Sequence, residues 1–218
     1  MKWLGRDMQI LYEDNHLIAV NKPAGVLTQP SPKCSESVET ELKRFIKERE
    51  KKSGNVYLHA VHRLDKDVSG VVLFAKTQKA LSRLAQTMRE GKCKKQYEAL
   101  IEKEMPTGIL IDRLVHDHHR ARVDPEGKRS ELIILHCEPK GDFWLVTLQL
   151  ITGRYHQIRV QLASRGYPIV GDTKYGSCIS YSCIALHHCF FGFDHPTTKQ
   201  WCEVQSPSSF LGAKGKSS

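Results

Sequence analysis

The sequence predicts an α+β fold: a single domain built on an extended mixed, mainly antiparallel β-sheet flanked by helices and loops. Three observations predict it. Apolar segments of strand length recur from residue 9 to residue 191 and outnumber the helical ones. Only three stretches place apolar residues at helical spacing. No internal repeat and no linker divides the chain into two cores, and 218 residues, 40% of them hydrophobic, can bury one.

Each element has its own signal. Residues 9–12 and 17–20 are apolar runs around Glu13-Asp14-Asn15, a hairpin pattern. Asn21-Lys22-Pro23-Ala24-Gly25 stops the second run, because Pro23 has no donor for a central ladder. A polar loop with Pro30 and Pro32 follows. Val38, Leu42, Phe45, Ile46 and Arg49 lie at helical spacing. Glu36 and Glu39 sit in the first turn of that helix and Lys51, Lys52 and Gly54 close it, as the helix dipole favours. Residues 57–64 read as a strand that enters a polar loop, and residues 70–75 as a short buried strand. Thr77 is placed to cap a second helix with the stripe Leu81, Leu84, Ala85 and Met88, ending at Gly91. Residues 96–102, 109–115, 131–136 and 143–151 read as extended, and Thr152-Gly153-Arg154 breaks the last. A third helix covers residues 156–164 and stops at Gly166, and a final strand covers residues 184–191. The tail from Ser206 is rich in Ser, Gly and Lys; residues 1–207 are expected to form the domain and 208–218 a flexible end.

Charge narrows the partner. Thirty-three basic against 24 acidic residues leave +9, an excess that favours a polyanion, either nucleic acid or an acidic membrane surface. No run approaches the roughly 18 apolar residues of a membrane span. The N-terminus, Met1-Lys2-Trp3-Leu4-Gly5-Arg6-Asp7, lacks the apolar core of a signal peptide, so a cytoplasmic protein is expected. Seven scattered cysteines fit reduced thiols better than a disulfide framework. From Lys76 to Lys95 seven bases face only Glu90. Lys79, Arg83 and Arg89 lie off the helical stripe there and should face water or a partner. A second basic stretch contains Arg113, Arg120, Arg122, Lys128 and Arg129 with His116, His118 and His119 between. Residues 36–52 mix six bases with five acids and read as a solvated helix face.

Three stretches can carry chemistry. In His62-Arg63-Leu64-Asp65-Lys66-Asp67-Val68-Ser69-Gly70 a carboxylate stands between bases at the mouth of a buried strand. A neighbouring cation favours the ionised form of a carboxylate, which can then act as nucleophile or base; a loop ion pair is the alternative. Asp65 and Asp67 would share a face on a strand, a pairing suited to glycoside hydrolysis, but Lys66 and the flanking bases point to a polyanion instead. Residues 152–162 place a glycine turn at a helix start and arginine on its first turns, where a guanidinium fork matches a carboxylate, contacts phosphate or lies on the surface. In Lys94-Lys95-Gln96-Tyr97-Glu98-Ala99 the tyrosine either packs or stacks on a base. Cys178, Cys183, His187, His188 and Cys189 cluster, as do His116, His118 and His119, but their spacing departs from paired zinc ligands. No metal is expected, and His187 and His188 are expected to pack in the core or touch the backbone of a nucleic-acid partner.

On these residues the sequence resembles the RluA family of pseudouridine synthases. His62-Arg63-Leu64-Asp65 with Ser69-Gly70 is similar to the family's catalytic motif, and Asn21-Lys22-Pro23-Ala24-Gly25 to its N-terminal motif. Lys95-Gln96-Tyr97 resembles its tyrosine motif, and Gly153-Arg154-Tyr155-His156-Gln157-Ile158-Arg159 its third motif. Gly171-Asp172, Tyr175-Gly176, Leu186-His187 and His195-Pro196 resemble its C-terminal signatures. The motifs run in order over residues 9–207. Val68 stands where Thr is usual and Gln161 where His is common.

The resemblance implies a pseudouridine synthase-like fold and an isomerase that converts specific uridines of structured RNA to pseudouridine. It implies no cofactor, a ribosomal or transfer RNA stem-loop as partner, and a target base flipped into the site. By the same resemblance Asp65 is the catalytic residue, as nucleophile or base, and Arg159 pairs with it. Tyr97 stacks on the uracil, Ile158 walls its other side, and Arg63 fills the space that the target nucleotide leaves. Many members carry an S4-like domain in front, and here the catalytic domain alone is expected, acting as a monomer. A non-catalytic RNA-binding protein on the same scaffold is the alternative. The intact set of Asp65, Tyr97 and Arg159 argues against it.

Overall fold

The computed structural model describes residues 3–4, 8–117, 119–208 and 210. In chain order the elements begin with β1 Trp3–Leu4, β2 Met8–Glu13, β3 Leu17–Lys22, α1 Val38–Arg49, β4 His59–Ala60, β5 Ser69–Ala75 and α2 Gln78–Arg89. There follow β6 Lys94–Ile101, β7 Gly108–His116, β8 Ala121–Val123, β9 Lys128–Lys140, β10 Phe143–Leu150 and α3 Gln157–Ala163. A 3-10 turn Thr173–Tyr175, β11 Leu186–Asp194 and β12 Trp201–Gln205 complete the described chain. Strands dominate, helices number three among the described residues, and the α+β class expected from the sequence is the one found. Two compact units gather these elements: Met1–Cys93 with Phe190–Pro207, and Lys94–Cys189 with Ser208–Ser218.

In the first unit β2 and β3 form the expected hairpin, antiparallel with Gln9 opposite Asn21. Asp14 makes its turn: Oδ1 accepts from the amides of His16 and Leu17, each at 2.7 Å, and Oδ2 accepts from the Tyr12 hydroxyl at 2.7 Å. His195 also bonds Oδ2 through Nε2 at 2.8 Å, while its Nδ1 accepts from the amides of Thr197 and Thr198. β3 pairs antiparallel with β5 and sets Lys22 opposite Gly70. All of β5 is buried, as its unbroken apolar run requires. Both helices cover this sheet because each has a capped start and one apolar face. Ser37 Oγ accepts from Thr40 N, and Thr77 Oγ1 from Ala80 N. α1 buries Val38, Leu42 and Ile46, and α2 adds Ala80 and Leu84 to a core with Leu17, Val71, Leu73, Phe191 and Phe193. Each fully buried Leu or Phe contributes about 1.5–3 kcal/mol.

In the second unit the strand order is β6-β10-β9-β7-β8, antiparallel throughout. A register shift at Thr147/Leu148 bends β10 against β9. α3 packs Val160 against Leu114, Ala121 and Tyr175. Asp112 on β7 ties the helix down: Gln161 Nε2 donates to it at 2.7 Å, and Arg165 grips both its oxygens at 2.8 and 3.1 Å.

The structure amends several expected boundaries. Of residues 57–64 only His59–Ala60 pairs as strand, because the main chain of Leu64 bonds the Thr28 side chain instead of a ladder. Glu36 precedes the Ser37 cap, so the acids of the first helical turn are Glu39 and Glu41. β8 and β12 were not expected, and β9 runs on to Lys140 through a polar edge. Of the tail expected to fray from Ser206, Ser206, Ser208 and Phe210 are instead buried, while residues 209 and 211–218, like His118, lie outside the described residues. None of the seven cysteines is paired in a disulfide. Among the described residues no helix is long and apolar enough to cross a membrane.

Candidate functional site

The pairing of Lys22 with Gly70 brings two loops of the first unit side by side: the one leaving β3 and the one entering β5. Asp65 lies in the second loop. Lys22 is 0% exposed, and its Nζ donates to the carbonyls of Pro23 at 2.9 Å, Val26 at 2.7 Å and Lys66 at 2.9 Å. An ammonium has three donors, and here all three meet carbonyl oxygens, which is what allows a lysine to be buried. Burial pushes Lys22 down to about 8, against the pull of the Asp67 and Asp65 carboxylates. The Gly25 amide also donates to Lys66 O, at 2.9 Å. On the other side of Asp65, Thr28 Oγ1 donates to Leu64 O at 3.0 Å and accepts from Leu64 N at 3.1 Å.

The main chain is thus fixed immediately before and after Asp65. A bond from Val68 N to Asp65 O at 3.2 Å closes the turn, and Val68 itself is buried. Gly70, the second residue of β5, has φ +118°, a conformation that a side chain would strain. Because residues 65–68 form a turn, the shared strand face expected for Asp65 and Asp67 does not exist. Asp65 is half-buried, and Arg63, Lys66 and Asp67 are exposed.

In the second unit the residues around α3 are held by side chains. Gln157 is buried. Its Oε1 accepts from Arg154 N at 3.0 Å and Thr152 Oγ1 at 2.8 Å, and its Nε2 donates to Glu131 O at 3.1 Å. His156 enters the helix with φ +51°, unusual for a residue with a side chain. Its ring stacks on Tyr155 at 3.8 Å, and its Nδ1 bonds the Tyr175 hydroxyl at 2.8 Å. The same hydroxyl accepts from Ala121 N at 2.8 Å.

Arg159, 6% exposed, donates through Nε and Nη2 to the two oxygens of buried Asp172 at 2.7 and 2.8 Å, and its guanidinium lies 5.0 Å from the Tyr175 ring centre. Such a bidentate fork fixes the cation's plane as well as its position. Asp172 is aimed by Gly171, whose φ is +81° and whose absent Cβ would fall 2.1 Å from Cys183 O. Ile158 is buried one residue before Arg159. On β6 Tyr97 is buried and stacks on His188 at 4.4 Å with the rings 22° apart. His187 and His188 are both buried, so of the two expected roles they fill the core one.

Of the five site residues expected from the sequence, Arg63 and Asp65 therefore share one turn of the first unit. Ile158 and Arg159 share one helical turn of the second, and Tyr97 lies on β6. Sequence reasoning missed Lys22 as the anchor of the Asp65 turn, Asp172 as the clamp on Arg159, and His188 as the backing of Tyr97. A charged residue inside a run that buries its neighbours is the signal that marks Lys22. Among the described residues no group of three or more His, Cys, Asp or Glu is arranged to hold a metal.

Comparison with known proteins identifies the family. A family model described as RNA pseudouridylate synthase matches residues 16–164. The uncharacterized RNA pseudouridine synthase YlyB of Bacillus subtilis is 32% identical over 92% of this chain and 69% of its own length. The ribosomal large subunit pseudouridine synthase C of Buchnera aphidicola is 33% identical over 93% of this chain and 67% of its own. The corresponding synthase D of Vibrio cholerae is 30% identical over 94% and 69%. In fold, human RNA pseudouridylate synthase domain containing 4 superposes with a TM-score of 0.75, covering 93% of this chain and 89% of that one at 22% identity.

Proposed function

The chain belongs to the RluA family of RNA pseudouridine synthases, which isomerise uridine to pseudouridine in RNA, and from that premise we propose that Asp65 carries the reaction on a uridine flipped out of structured RNA. The N-glycosidic bond breaks, the uracil turns, and a carbon–carbon bond forms to the same ribose. Atoms balance within the nucleotide, so no co-substrate, cofactor or metal is assigned. Asp65 acts as nucleophile or base, attacking the sugar, attacking the base or removing a ribose proton.

The observation that carries the reading is the turn itself. Lys22, Gly25 and Thr28 fix the main chain on both sides of one half-buried carboxylate, as a group that must meet a single atom requires. Arg159 is assigned by the family resemblance as the cation of the reaction, and its clamp by Asp172 supports a fixed position for it. Tyr97 stacks on the uracil, with His188 behind it, and Ile158 closes the other side. Arg63, exposed, occupies the space vacated in the RNA. Extrusion of a nucleotide costs a few kcal/mol, which phosphate contacts from the +9 chain offset.

The relatives named for the large ribosomal subunit make its RNA the substrate we assign first, with transfer RNA second. Residues 1–207 form the catalytic domain, working as a cytoplasmic monomer. The test is to incubate the protein with unmodified large-subunit ribosomal RNA and map pseudouridine. Wild type is expected to modify discrete uridines. Asp65→Ala is expected to lose at least about a thousandfold in rate, the scale on which enzymes suffer when a nucleophile is removed. An Asp65→Ala protein as active as wild type would falsify the assignment.

A further inference from the structure

The second unit carries a basic cavity of about 200 Å³ that none of the roles above uses. Its walls are residues 114–116 of β7, Lys128 at the start of β9, and the loop Gly153, Arg154 and Tyr155. We propose that this cavity binds one nucleotide of the RNA strand next to the target uridine, with its base on Tyr155 and its phosphate on Lys128 and Arg154. The proposal rests on the RNA isomerase reading and extends it to a second subsite.

Ring, charge, rigidity and position support it independently. Tyr155 is 39% exposed although its ring stacks on His156 at 3.8 Å, and the His116 ring stands 5.3 Å away, tilted by 45°. Exposed aromatic rings beside cations are the recurrent platform for single-stranded bases. Arg154 spends one N–H, from Nε, on Arg129 O at 3.2 Å, and neither Arg154 nor Lys128 is ion-paired among the described residues. The nearest acid in the ladder, Asp112 opposite Ser130, is taken by Gln161 and Arg165, and Glu131, one rung further, by Arg129 at 2.7 Å. Lys128 sits opposite Leu114 in the ladder, so its place is set by strand register. The loop is equally fixed, because Gln157 holds Thr152 Oγ1 and Arg154 N. A site built in advance loses little entropy when it is filled.

Position identifies the occupant. A Cβ on Gly153 would lie 3.6 Å from Lys95 Nζ, and Lys95 shares a strand face with Tyr97 two residues on. Gly153, one wall of the cavity, therefore also adjoins the strand that bears the stacking tyrosine. The volume lies below the roughly 300–1,000 Å³ of a drug-sized ligand site and suits a single nucleotide unit.

The experiment measures binding of a fluorescein-labelled ten-residue oligouridylate by anisotropy over a series of salt concentrations. Tyr155→Ala is expected to raise Kd about tenfold, within the range for loss of one base stack, and Tyr155→Phe to stay within about twofold of wild type. Lys128→Gln and Arg154→Gln are each expected to reduce the slope of log Kd against log salt by about 0.7, one single-strand phosphate contact. On large-subunit ribosomal RNA the loss in Tyr155→Ala should fall on KM more than on kcat. An unchanged Kd in Tyr155→Ala, an equal loss in Tyr155→Phe, or unchanged salt slopes overturn the subsite. Pseudouridine mapping with Asp65→Ala keeps the two readings apart: if that variant modifies RNA, the catalytic assignment fails whatever the binding data say about Tyr155.

Discussion

The two regions that carry the proposed chemistry are held in different ways. The Asp65 turn is gripped by its backbone: Lys22, Gly25 and Thr28 bind main-chain atoms of residues 64 and 66. The Arg159 region is gripped by side chains, with Asp172 on the guanidinium, Tyr175 on His156, and Gln157 on the preceding loop. A short carboxylate has no reach of its own, so fixing its Cα fixes its oxygens. A long guanidinium has four rotatable torsions, and only a partner at its tip can hold it still. The comparison teaches that rigidity is applied where each side chain would otherwise lose it.

The sharpest way to break this contrast is Asp172→Ala. It leaves Arg159 buried without its fork partner and should cost about 3–5 kcal/mol, read as a lower urea midpoint together with a fall in kcat. Asp172→Asn, which retains one acceptor, should lose less of both. A midpoint equal to wild type would mean that the clamp is not what holds Arg159.

Lys22→Met comes next. Three carbonyls lose their donor, although Lys66 O keeps the Gly25 amide, and the expected cost is about 1–3 kcal/mol. Because the damage falls on the Asp65 turn, pseudouridine formation should drop further than RNA affinity does.

The mildest probe is pH. Lys22 is pushed down from 10.5 to about 8 by burial. The neutral amine has two N–H donors for three carbonyls, so the rate should fall as pH rises through about 8, and Lys22→Met should lack that alkaline limb. Global stability moves the other way. Between about 8 and 10.5 the unfolded chain binds the proton that the folded chain has released, so the lysine's contribution to stability rises with pH across that window. Rate profiles and urea midpoints collected at the same pH values separate the two effects.

Much of the fold was legible because local signals agreed with burial. Thr77 caps α2 as its position predicted, and the unbroken apolar run of β5 is buried along its whole length. What escaped lacked a local signature. β12 buries only Val204 among its five residues, and β8 has only three residues. Residues 57–64 have a strand's composition, but a threonine 36 positions away takes the backbone bonds that a ladder would need. The site divides along the same line. Asp65, Arg63, Tyr97, Ile158 and Arg159 could be named because they stand inside contiguous motifs. The partners that hold them could not be assigned, because Lys22 reaches Lys66 across 44 residues and Arg159 reaches Asp172 across 13. Of the two departures from the family pattern, Gln161 donates to Asp112 at 2.7 Å and helps fasten α3 to β7.

Gly171 shows how far such dependence can spread. A carbonyl oxygen stands where its first side-chain carbon would be, so the position has no room for any other residue. Glycine brings no reacting group, yet a missense change there would shift Asp172, and with it the arginine. A genetic screen for lost RNA modification would score that codon with the catalytic ones, which makes an inherited defect at a chemically silent position the expected signature of this architecture.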